Sequence, residues 1–140
     1  MMGSINNIHQ KISEYIERLT QDLKVARGSD FPGSFRTGTW LEKQKTILGF
    51  ISINPHRDPE EETIDIGFKI EVNEILDITI DICWSDGEIL RTIAKESFPS
   101  NSPEKMGSEL ELLLQRVTPN ILGEVDKIFK QNLAPRYRGN

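Results

Sequence analysis

Ile64-Asp65-Ile66-Gly67-Phe68-Lys69-Ile70-Glu71-Val72, followed after three residues by Leu76-Asp77-Ile78-Thr79-Ile80-Asp81-Ile82-Cys83-Trp84, alternates apolar and polar side chains almost without a break. Successive side chains of a strand point to opposite faces, so each run predicts a strand with one face buried. Apolar residues can lie opposite apolar residues only if the paired residue numbers sum to an even value. A two-residue turn at Asn73-Glu74 breaks that parity, and a three-residue or bulged loop is expected.

Downstream, Ser85-Asp86-Gly87 suits a three-residue hairpin loop with glycine in the left-handed position, which pairs Trp84 with Glu88. Carried on unbroken, that register sets Ile82 against Leu90, Ile80 against Thr92 and Ile78 against Ala94. On the other face it sets Asp81 against Arg91 and Asp77 against Lys95. Phe98-Pro99 closes the strand, and Ser102-Pro103-Glu104 then has the order of a helix cap, a first-turn proline and a first-turn acid. Met106, Leu110, Leu113, Leu114 and Val117 form one helical stripe, continued by Ile121, Leu122, Val125, Ile128 and Phe129. Pro119 either kinks this helix or divides it into two.

Upstream, Thr46 to Asn54 carries apolar residues of both parities, which is consistent with cover on both faces, as an edge or a central strand. Residues 28–40 (Gly-Ser-Asp-Phe-Pro-Gly-Ser-Phe-Arg-Thr-Gly-Thr-Trp) hold many chain breakers and read as an ordered loop or short edge strand. Before them, Ile5, Ile8, Ile12, Ile16, Leu19 and Leu23 recur at spacings of three and four, the stripe of an amphipathic helix. Ser4 can cap that helix, and Gly28 ends it.

The expected fold is therefore α+β: an N-terminal helix, a four-stranded, mainly antiparallel meander, and a C-terminal kinked helix or two helices packed on one face. The 140 residues form one domain, with the helix over 1–28, loop and sheet over 29–99, a helical segment over 102–133 and a flexible basic tail over 134–140.

Composition narrows the function classes. With 22 acidic against 17 basic residues the net charge is -5, a field that repels nucleic acid. The single cysteine, Cys83, allows no internal disulfide and fits a reducing compartment. Met1 to Gln10 lacks a basic segment followed by an apolar one, and no window reaches the roughly 18 apolar residues of a membrane span, so a cytoplasmic location is expected.

No constellation of residues names a reaction. Gly33 to Thr39 has two glycines of a phosphate loop but a threonine in place of its lysine. His56, Asp58, Glu60, Glu61 and Glu62 gather possible metal ligands without the spacing of a known ligand loop, and His9 has no second histidine one helical turn away. Asp65, Glu71, Asp77 and Asp81 share a strand face with Lys69, Arg91 and Lys95, whose charges keep them ionised rather than poise one as an acid. Cys83 has no neighbour in sequence to lower its pKa. No catalytic residue, cofactor or metal ligand is assigned.

What remains is surface. Ile89 and Ile93, with Arg91, fall on the outer face, where a solvated sheet favours polar residues, and they form the candidate interface. The first expectation is a non-catalytic protein-interaction domain of adaptor, chaperone-like or toxin-neutralising type, with a protein partner or a second copy as ligand. The alternative is a small-ligand or enzymatic pocket between sheet and helices, lined by Phe31, Phe35, Trp40, Phe68 and Trp84, with residues 28–40 as its lid.

Overall fold

In a computed structural model of the chain, residues 2–55, 63–99 and 102–132 are described. Helix α1 (Met2–Arg27) leads into strands β1 (Ser34–Glu42), β2 (Thr46–Asn54), β3 (Ile64–Val72), β4 (Ile75–Trp84) and β5 (Ile89–Pro99). Helix α2 (Pro103–Lys127) follows and runs on into a π-helical turn, Ile128–Asn132. The strands make one antiparallel sheet in the order β1-β2-β3-β4-β5, so each pairs only with its neighbours in sequence.

The α+β class and the meander agree with the expectation, but there are five strands rather than four. The extra strand is β1, which takes most of the segment read as an ordered loop or short edge strand and lies at the edge of the sheet. It pairs with β2 at all nine positions, from Ser34↔Asn54 to Glu42↔Thr46. This makes β2 a central strand and removes 34–40 from service as a lid. The turn between the two strands uses Lys43 and Gln44 at positive φ (52° and 63°), closed by Lys45 N–H donating to the Glu42 carbonyl at 3.1 Å. Two successive left-handed residues match a tight hairpin turn, here built without glycine or asparagine.

Two local expectations also change. Helix α1 begins at Met2, so Ser4 lies inside the helix rather than capping it. Of the two readings of Pro119, the structure has the single helix, with α2 continuing through it. The proline has no N–H to give the Gln115 carbonyl, but both residues lie on the solvent side, where water can serve it. The start of α2 is as read: the Ser102 side chain accepts from Lys105 N–H at 3.2 Å, with Pro103 in the first turn. The β3-β4 connection likewise satisfies parity, with Val72 opposite Leu76 across three residues.

The second change is in β5. Cys83 pairs with Ile89, but Ile82 pairs with Arg91, Asp81 with Thr92, and Ile80 with Ala94. Two single-residue bulges, taking in Leu90 and Ile93, have each advanced the register by one. Both extra residues pack against the core. A bulge sets two residues against one, so the strand bends and both can lean to the same side. Asp77 consequently meets Ser97, and Lys95 lies opposite Thr79.

The core is a single layer between the sheet and the two helices. Ile47, Ile51 and Ile53 of β2, Ile64, Ile66, Phe68 and Ile70 of β3, and Leu76, Ile78, Ile80, Ile82 and Trp84 of β4 meet the stripes of α1 and α2. Gly49 of β2 lets α1 come close: a Cβ there would lie 2.6 Å from Cδ1 of Ile16. Polar bonds fasten the rim. His9 Nε2 and Ser13 Oγ lie 3.3 and 2.9 Å from Thr39 Oγ1, and the Tyr15 hydroxyl is 2.7 Å from Thr118 Oγ1. Arg91 and Glu96 turn to the helix side, pairing with Glu124 and Arg116 of α2 at 3.0 and 2.8 Å.

Candidate functional site

Both helices pack on one side of the sheet, so neither covers the other side. That open face is ordered in rows across the strands, and its composition is uneven. One row runs Gly38, Phe50, Gly67, Asp81 and Thr92; the next runs Trp40, Leu48, Lys69, Thr79 and Lys95. A third runs Arg36, Ser52, Asp65, Cys83 and Ile89, and a fourth Glu42, Thr46, Glu71, Asp77 and Ser97.

The glycines decide how the first row is used. Phe50 has glycine on both neighbouring strands, and its ring leans over Gly38, where a Cβ would lie 2.7 Å from Cε1. Trp40 stands edge-on to Phe50, with ring centroids 6.2 Å apart and planes at 64°. Leu48, the cross-strand partner of Trp40, completes an aromatic and aliphatic patch at the β1 side of the face. Trp40 remains 44% exposed. At the far side stands Ile89, 58% exposed, beside Cys83. Between them lie the acids Asp65, Glu71, Asp77 and Asp81 and the cations Lys69 and Lys95.

The expected interface trio is thus divided. Ile89 stays on the open face, Ile93 packs against the core at a bulge, and Arg91 is engaged with α2. The expected pocket residues are divided as well. Phe68 and Trp84 are core residues, Phe31 and Phe35 cluster with Phe129 at the end of α1 (5.6 and 5.8 Å between centroids), and Trp40 is on the open face. These five line no common cavity. The larger concavities are open grooves, one of about 620 Å³ between α1 and β1 and one of about 680 Å³ between α1 and α2. Phe35 floors the first; neither is lined by Phe68 or Trp84.

Among the described residues no group of three or more His, Cys, Asp or Glu side chains could hold a metal ion. His56, Asp58 and Glu60 to Glu62 lie outside the described residues, as does the basic tail 134–140. Burial, then the charges of Asp65, Asp81 and Asp86, push the Cys83 thiol above its ordinary value of 9.0. A thiol with a raised pKa stays protonated at neutral pH and is a poor nucleophile. Iodoacetamide should therefore alkylate Cys83 in the folded protein more slowly at neutral pH than it alkylates a free cysteine. The rate should climb only as pH passes 9; fast labelling at neutral pH would make Cys83 a reactive site after all.

The patch of Trp40, Leu48 and Phe50 was not found by sequence reasoning. Its signal was present in β2, where Leu48 and Phe50 have the opposite parity to Ile47, Ile51 and Ile53. No protein-family model, curated protein or solved structure matches this chain. No helix of the described residues is long and apolar enough to cross a membrane.

Proposed function

We propose that this protein is a non-catalytic interaction domain that binds another protein through the open face of its sheet. The observation that carries the reading is Trp40, 44% exposed and set edge-on against Phe50 on the face opposite both helices. Tryptophan is prominent among the residues that dominate binding energy at interfaces, and a rigid aromatic residue costs little entropy to immobilise. Here it is held on a strand by its neighbours rather than on a mobile loop. Ile89 gives the far side of the face a second apolar contact. Four carboxylates against two lysines between these points favour a partner with a basic contact surface.

The test is site-specific photocrosslinking in the native host. A benzophenone side chain at Lys69, Thr79 or Ile89 should capture a foreign polypeptide, and Trp40→Ala should lower the yield at least about tenfold, as for loss of a strong anchor. The same probe at Leu112, on the exposed side of α2, should not. Equal capture from Leu112, or none from the sheet positions, would sink the proposal.

A further inference from the structure

The two edges of the sheet are built differently. Edge strands expose unpaired backbone groups, and proteins blunt them with bulges, prolines or charge. The β5 edge has two bulges and ends in Pro99. The β1 edge has neither: nine residues pair with β2 without interruption, no proline interrupts the strand, and among the described residues no strand lies beyond it.

The sequence of β1 is also symmetric in its chemistry about Gly38: Ser34-Phe35-Arg36-Thr37-Gly38-Thr39-Trp40-Leu41-Glu42. An antiparallel copy centred there sets Phe35 against Leu41 and Thr37 against Thr39 on the helix side. On the open face it sets Arg36 against Trp40, and Gly38 meets itself at the axis. Apolar and β-branched cross-strand pairs stabilise a sheet, and a guanidinium over an indole adds cation–π attraction. A two-fold interface requires such self-complementarity, in which residue i meets j and j meets i. Moving the axis to Thr37 or Thr39 sets Phe35 opposite Thr39 or Lys43 and loses the match.

A second observation points the same way. The groove of about 620 Å³ between α1 and β1 runs along the helix side of this edge, with Phe35 and Thr37 at its floor and Glu17, Gln21 and Lys24 on its wall. In the register centred on Gly38, the side chains that arrive beside Phe35 and Thr37 are Leu41 and Thr39 of the second copy. Such a pairing would occupy the groove and the β1 edge together.

We infer that the protein forms a two-fold dimer by pairing β1 with β1 of a second copy, centred on Gly38, which joins the two sheets into one of ten strands. The inference goes beyond the proposed face binding, since it concerns the edge of the sheet, and the two fail separately. A monomer whose open face still captures a foreign partner would overturn only the dimer.

The test starts with sedimentation equilibrium of the unaltered chain, which should give twice the 16.0 kDa chain mass, with dissociation on dilution. Cysteines are then placed singly at Thr37 and at Thr39 in a Cys83→Ser background. Mixing the two variants under mild oxidation should give several-fold more crosslinked dimer than either alone. Arg36→Glu, with an unchanged circular dichroism spectrum, should weaken association at least about tenfold. A chain that stays monomeric at the highest soluble concentration overturns the inference. So does a dimer with no crosslink at either position, and so does self-crosslinking at Thr39 that exceeds the mixed product.

Discussion

Phe68→Ala is expected to lower the unfolding free energy by about 3–5 kcal/mol, the range for truncating a buried aromatic residue. That is a large part of the roughly 5–15 kcal/mol that holds a typical domain together. Phe68 is 2% exposed on the middle strand of the sheet, opposite Gly49 on one side and Ile80 on the other. Tyr15 of α1 meets it edge-on, with centroids 6.1 Å apart and planes at 79°. Gly49 has no side chain to swing into the space, and Ile16 is already against the backbone there, so the cavity left by truncation collapses poorly. Urea unfolding read by circular dichroism measures the loss. If Phe68 instead lined a vacant ligand pocket, the loss would fall below about 1 kcal/mol, well under the usual cost for a core aromatic.

The second large effect is expected at Gly33, just before β1. A Cβ there would lie 1.8 Å from the backbone oxygen of Asn54 and 2.8 Å from two ring carbons of Phe31. A main-chain oxygen cannot turn aside as a side chain can, so the first pair of the β1-β2 ladder, Ser34↔Asn54, must open. Gly33→Ala should cost about 3 kcal/mol, the upper part of the range for overpacking. Amide exchange at the start of β1 should quicken with it. Gly67→Ala is the control: its added methyl meets nothing within 4 Å, and its loss should be small. Equal losses for the two variants would show that the approach of Gly33 to Asn54 is not close.

The elements that announce themselves locally were legible. The α1 stripe, the alternation in β3 and β4, the parity of their connection and the Ser102 cap each depend on a few residues whose period or chemistry has one good structural solution. Strand β1 does not announce itself, because its existence depends on β2. Its inward residues include Thr37 and Thr39, which break the apolar alternation, and its turn carries Lys43-Gln44 where a hairpin signal would be Asn-Gly. The β5 register failed for a different reason: pairing arithmetic assumes one residue opposite one. Leu90 and Ile93, both packed on the core, lie three apart, a spacing that a regular strand cannot place on one face. That spacing was the available sign of bulges.

The candidate site was legible only in part. Ile89 was found because it follows the turn directly, before the first bulge. Trp40 reads from sequence as a pocket residue with Phe68 and Trp84, whereas it lies on the open face. An aromatic residue gives the same signal in sequence on either face, and only the pairing of β1 with β2 assigns Trp40 to the open one.

The meander also shapes how the chain reaches this structure. Every strand pairs with its neighbour in sequence, so the sheet can grow hairpin by hairpin, closing only short loops. The long closures fall on the seam between α1 and α2: Lys11 with Glu111, Tyr15 with Thr118, and Arg27 with Asp126 at 2.7 Å. These partners are about a hundred residues apart. By the loop-entropy argument, both helices are best received by an apolar sheet surface already in place, and the seam between the first and last helices is the final stitch rather than the nucleus.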